Sequence, residues 1–106
     1  MQSTSEKQYI ARTIRRERDI LVNICDEELL GQTIRGEKVE MEISREYFGA
    51  EKVSEHQAIS LVRDGSIINL AGSRIVGKVV GEKLASERAV KKIGSVDFLL
   101  IYKFSR

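Results

Sequence analysis

Residues Gly72-Ser73-Arg74-Ile75-Val76-Gly77-Lys78-Val79 match the phosphate loop G-x-x-x-x-G-K-[ST] up to its last position. The run follows an apolar segment, Ser66 to Leu70, and opens a helical pattern. In such a loop the backbone amides cradle phosphates, the lysine reaches them, and the final hydroxyl holds magnesium. Val79 has no hydroxyl, and Ile75 and Val76 read as core residues of a helix already begun. Nucleotide hydrolysis is therefore not expected. What survives is a helix N-terminus with Ser73, Arg74 and Lys78, which could hold one phosphate or an RNA backbone. Asn69 stands at the carboxyl end of the preceding apolar run, where open α/β sheets place ligands. With Gly72 and Arg74 it makes the best polar constellation in the chain, although an asparagine there can equally tie down the turn.

Other catalytic chemistries have little to work with. Cys25 precedes a predicted helix start, where a thiolate can be stabilised, but Asp26, Glu27 and Glu28 follow and oppose that charge. The single histidine, His56, lies in the first turn of a charged segment. One Cys and one His cannot complete a zinc site of the usual kind, and no loop has the pattern of an oxygen-ligand site. No catalytic residue, metal or cofactor is assigned, and binding is expected ahead of catalysis. Tyr47 and Phe48, beside Gly49, could present a stacking surface to a base. They could also fold Phe48 down as a lid, which is the favoured reading.

Charge is unevenly placed. The net charge is +2, yet residues 1–18 carry +3, residues 26–55 carry −5 and residues 56–106 carry +5. Arg12, Arg15, Arg16 and Arg18 crowd the N-terminal segment. Basic clusters of this kind suit RNA phosphates, while a mixed-sign solubilising surface is the plainer reading.

The elements that must position these residues follow from periodicity. Residues 7–14 alternate as a strand, residues 15–19 turn, and Ile20 to Cys25 return as the second arm of a hairpin. Asp26 is expected to cap a short helix whose stripe is Leu29, Leu30, Thr33 and Ile34, stopped by Gly36. Residues 37–44 read as the clearest strand, with Val39, Met41 and Ile43 inward. A loop over 45–52 leads to a helix over 54–64, marked by the capping box Ser54 and Gln57 and ended by Gly65. With the strand 66–70 this makes a βαβ unit over 37–70. A third helix runs from Ser73 to about Ala85, and its Gly77 and Gly81 suggest a close backbone approach. A short strand is expected at 89–93. The last strand, 96–104, has Phe98, Leu100, Tyr102 and Phe104 on one face and Leu99 and Ile101 on the other, as in a sheet interior covered on both sides.

The expected fold is therefore α/β (α+β), a mixed sheet of about five strands with two or three helices, an N-terminal hairpin and a βαβ unit. A chain of 106 residues suits one domain, here residues 7–106 behind a frayed segment 1–6. The apolar share of 42% and charged share of 32% fit a folded soluble protein. The longest apolar run, Phe98 to Tyr102, is far shorter than the roughly 20 residues of a membrane span. No secretory h-region is visible, and a lone cysteine forms no internal disulfide, so a cytoplasmic setting is expected.

Three blocks then stand out: Cys25-Asp26-Glu27-Glu28-Leu29-Leu30-Gly31-Gln32-Thr33, Glu46-Tyr47-Phe48-Gly49 with Glu51, and Asn69-Leu70-Ala71-Gly72. Together they resemble the small archaeal proteins of domain-of-unknown-function family 424, over roughly residues 18–104. Members often carry Phe-Tyr-Gly-Gly where this chain has Tyr47-Phe48-Gly49-Ala50. The resemblance implies an archaeal cytoplasmic protein associated with translation or RNA.

The leading expectation is a non-catalytic module that binds RNA or the ribosome. Arg12, Arg15, Arg16 and Arg18 would form one phosphate patch, and Asn69, Gly72, Ser73, Arg74 and Lys78 a second. The alternatives are a small anionic-ligand binder or enzyme at the Asn69–Arg74 turn, with Asp26 and Glu27 nearby, and a protein-interaction module using the acidic segment 26–55. A further surface would involve Asp26, Glu27, Tyr47 and Phe48.

Overall fold

The computed structural model describes residues 7–103. The expected frayed segment 1–6 and the inward Phe104 lie outside them. The hairpin is present and longer than its alternation suggested. Strand β1 spans Lys7–Arg16 and β2 spans Asp19–Asp26, joined by a two-residue turn in which Glu17 has φ 49°. Along β1 the side chains of Tyr9 and Ala11 enter one core, while Ile10 enters another on the opposite face. A strand apolar on both faces at one end belongs inside a sheet.

That sheet has six strands in the order β5-β1-β2-β6-β8-β7. Its other members are β5 (Glu51–Ser54), β6 (Ile67–Ala71), β7 (Lys91–Ile93) and β8 (Val96–Tyr102). Every neighbouring pair is antiparallel except β2 and β6, which run parallel with Asn23 opposite Asn69. A separate two-stranded sheet pairs β3 (Thr33–Arg35) with β4 (Glu40–Glu42). The architecture is α+β around a mixed sheet, as expected, with more strands.

Helices α2 (Glu55–Asp64) and α3 (Ser73–Gly81) cover one face. The capping box is formed: Gln57 N donates to Ser54 Oγ at 3.1 Å, and Ser54 N donates to Gln57 Oε1 at 2.8 Å. Beneath the helices, Val22, Ile24, Ile68 and Leu70 of the sheet pack with Ala58, Val62, Ile75 and Val79. The opposite face is covered over one end only. There Ile34, Ile43 and Phe48 close over Ile10, Cys25, Ala71 and Val96. The short helix α1 (Arg45–Phe48) supplies Phe48, and Ser44 caps it by accepting from Tyr47 N at 3.1 Å.

Several expectations are corrected. Residues 26–36 do not form a helix: Glu27–Leu29 make one 3-10 turn, and Thr33–Arg35 become β3. The stripe Leu29, Leu30, Ile34 was apolar because it covers a sheet, whatever the backbone period. The strand expected over 37–44 shrinks to β4, with Val39 and Met41 exposed and only Ile43 buried. It joins the small sheet, so the βαβ unit is β2, α2 and β6 rather than 37–70. Gly65 ends α2 with φ −74°, outside the left-handed region. Helix α3 stops at Gly81, and a Cβ on Gly77 or Gly81 would meet nothing within 4 Å, so no backbone approaches there. The strand expected at 89–93 starts at Lys91, after a 3-10 turn at Glu87–Ala89. Finally, β8 is an interior strand whose second face is covered only at its Val96 end: Leu99 is buried on the helix side, while Leu100 on the other is 51% exposed.

Candidate functional site

The polar turn that the sequence treated as one site is divided by the sheet. Gly72 is the N-cap of α3 and has no side chain to accept from the first-turn amides; its φ is 121°. Asp26, at the end of β2, does so instead. Its Oδ2 accepts from Arg74 N at 3.0 Å and its Oδ1 from Ile75 N at 2.9 Å. These are the amides an anion at this helix end would use. The carboxylate is 2% exposed, and burial raises its pKa against the lowering effect of the two amides. Asp26 therefore caps a helix far along the chain, and it makes no side-chain cap at its own 3-10 turn.

Arg74 is equally engaged. Its Nε and Nη2 donate to the two Glu28 carboxylate oxygens at 3.1 and 2.5 Å, and Nη1 donates to Gln8 Oε1 at 3.0 Å. Nη2 also reaches the Gln8 carbonyl at 3.1 Å, and the guanidinium lies 4.9 Å from the centre of the Tyr9 ring. The hydrogen bond from Arg74 holds Glu28 below its ordinary pKa, and the same bond raises that of Arg74. Lys78 pairs with Glu55 at 3.0 Å and Glu82 at 3.5 Å, and Glu27 pairs with Lys52 at 2.9 Å. Ser73 is exposed. This cluster fastens β1, β2 and α3 together. It presents no open cradle for phosphate. Much of the acidic middle segment is used in the same internal pairs.

Asn69 faces the other way. Its Nδ2 donates to Asn23 Oδ1 at 3.1 Å, and Asn23 Nδ2 donates to the Tyr47 carbonyl at 3.0 Å. Asn69 lies in the wall of a cavity of about 790 Å³ on the face away from the helices. Phe98 and Leu100 of β8, Ile93 of β7, Met41 of β4 and Tyr47 of α1 supply its apolar surface. Arg88 and Lys91 supply cations, and Glu42 an acid. Phe48 is buried, as favoured, while Tyr47 stays 47% exposed with its ring edge-on to Phe48 at 4.9 Å.

Strand alternation sorts the N-terminal arginines. Arg12 and Arg16 share the face of Ile10, and hence of the cavity, whereas Arg15 shares the face of Tyr9 and Ala11. Arg18 sits in the turn, and all four are exposed. Arg12 donates to the Glu46 carbonyl of α1. Beyond the small sheet this face continues with half-buried Ile14, Leu21 and Ile67 and exposed Leu100 and Tyr102. This surface was missed in the sequence, where β8 seemed covered on both sides. The hint was the exposed alternation of β1, which puts Arg12 and Arg16 among apolar neighbours.

Cys25 and His56 do not meet. Cys25 is buried in the core under the small sheet, where burial pushes its thiol up to about 12, while His56 is exposed on α2 across the main sheet. Among the described residues no group of three or more His, Cys, Asp or Glu side chains is placed to hold a metal ion, and no helix is long and apolar enough to cross a membrane.

Comparison with known proteins agrees with the fold and is silent on role. A crystal structure of an uncharacterized conserved protein from Methanopyrus kandleri superposes with TM-score 0.77 at 20% identity, covering 92% of this chain and 93% of that one. No curated protein matches. A family model described as protein of unknown function (DUF424) matches residues 14–104.

Proposed function

Because the chain belongs to the DUF424 family, whose description names no reaction, its role must come from its own surface, and we propose that it binds single-stranded RNA across the bare half of its sheet. One observation carries this reading: an interior strand, β8, exposes Leu100 and Tyr102 on a face that also holds Tyr47, Arg12 and Arg16. An open sheet face with exposed rings, edged by cations, is a general solution for unstacked bases and their backbone. Arg88 and Lys91 add positive charge on the β7 side. The acids near this face include Glu42, Asp19 and Glu46 of α1, and Asp19 accepts from the Ser66 hydroxyl at 3.2 Å. Ribosomal or messenger RNA in a cytoplasmic setting would be the natural partner. The Asp26–Arg74 cluster supports the fold and stands outside this reading.

Fluorescence anisotropy with labelled single-stranded oligoribonucleotides tests it. Affinity should fall with salt at about −0.7 in log–log slope per phosphate contact, and Tyr102→Ala with Leu100→Ala should weaken it. Binding too weak to measure at low salt would remove the proposal.

A further inference from the structure

The cavity beside β8 has an asymmetry that its apolar walls hide. The Tyr47 carbonyl can only accept, so the Asn23 amide must turn its nitrogen towards it. Asn23 then offers its oxygen, and Asn69 must answer with its nitrogen. The orientation of both amides is set by one backbone carbonyl. As a result the Asn69 oxygen is left without a hydrogen-bond partner among the described residues, on a residue that lines the cavity. The only acid among the described lining residues, Glu42, is also an acceptor. The walls therefore ask for a flat apolar body that brings an N–H donor. Arg88 and Lys91, neither paired with a carboxylate among the described residues, stand ready for a phosphate at the rim.

We propose that this cavity holds a single nucleobase and that Asn69 reads an N–H donor on the base's edge. The volume, about 790 Å³, falls in the range of small-ligand sites and leaves room for the sugar. Phe98, Leu100 and Tyr47 provide the apolar contact a ring needs. An amide oxygen that a bound ring covers discriminates between bases, because a base without the donor takes water from it and gives no hydrogen bond in return. The inference deepens the RNA reading: the base could belong to a strand on the bare sheet or to a free nucleotide.

The test compares adenosine 5′-monophosphate with purine riboside 5′-monophosphate, which lacks the amine, by calorimetry and by NMR shifts. The expected result is at least about tenfold tighter binding of the adenosine nucleotide. The largest shifts should fall at the Asn69 side-chain amide, Phe98 and Leu100. Asn69→Leu should level the two affinities. Asn69→Ala, checked by circular dichroism, serves if the leucine variant fails to fold. Equal affinities in the unaltered protein, or shifts confined elsewhere, overturn the proposal. If oligonucleotides bind and respond to Tyr102→Ala while the two nucleotides bind equally, the base pocket falls and the RNA surface stands. If the nucleotides are distinguished and no oligonucleotide binds, the pocket stands for free nucleotides and the RNA surface falls.

Discussion

Gly72 and Asp26 fit together as a backbone and the side chain that replaces its own: a Cβ built on Gly72 would lie 2.3 Å from the Asp26 carboxyl carbon. The helix N-cap is thus split between the turn that follows β6 and the end of β2. Gly72 provides the backbone turn, and Asp26, on β2, provides the acceptor for Arg74 N and Ile75 N. Asp26→Ala should strand both amides at a buried helix end and cost about 2–4 kcal/mol. Asp26→Asn, which keeps one acceptor, should cost less. Urea unfolding midpoints measure both, and an alanine variant as stable as the parent would refute the split cap.

Two glycines of α3 and its cap should respond in opposite directions to the same substitution. Gly72→Ala meets the Asp26 carboxylate at a φ of 121° and should lose more than about 2 kcal/mol. Gly77→Ala is exposed on the helix with nothing within 4 Å of the new methyl and should gain about 0.5–1 kcal/mol. Thermal melting of the pair decides it, since equal shifts would contradict the geometry.

Acid should reveal two opposed carboxylates. Glu28 is held below its ordinary 4.5 by Arg74, so its contribution is present above that pH and is lost as pH falls through the depressed value. Asp26 is raised above 3.8 by burial, so its ionisation subtracts stability as pH rises through that raised value. Glu28→Gln should therefore be destabilising at pH 7 and converge with the parent in strong acid. Glu28 is more than half exposed, and solvent screening limits the difference to about 0.5–1 kcal/mol. A gap that persists unchanged at low pH would assign the effect to packing instead.

Charge reversal separates the two arginine groups. Arg16→Glu lies on the bare sheet face and should weaken oligonucleotide binding and flatten its salt dependence by about 0.7 or more. Arg74→Ala should lower the melting temperature while leaving the affinity of the folded protein unchanged, because its guanidinium already serves Glu28 and Gln8. Binding lost with Arg74 and kept without Arg16 would move the interface to the helix end.

The parts of this fold legible in the sequence are those with local rules. The β1–β2 alternation, the Ser54–Gln57 box and the apolar β6 each depend on residues within a few positions. The parts that were hidden depend on partners far along the chain. Leu29, Leu30 and Ile34 cover one end of the main sheet, Ile34 from within β3, and no period distinguishes that from a helix stripe. Asp26 looked like a cap and is one, for a helix that begins at Ser73. Asn69 was singled out for a place at a strand end; it stands in the middle of β6, and strand parity turns it away from Arg74. Which half of a sheet face stays bare depends on how far another layer reaches, and that distance is not written in β8 itself.

The parallel pairing of β2 with β6 also sets an order of events. β1 and β2 can zip through a two-residue turn, and β7 and β8 through another. The join between the halves must wait until residues 27–66 have been gathered in, because they lie between the two strands. Loop closure of that length is an entropic barrier, and non-local pairings of this kind slow folding. The centre of the sheet, like the β5 edge paired with β1, thus depends on a long-range closure rather than on a local turn. A newly made chain would carry an unpaired edge of β2 until α2 and β6 had left the ribosome.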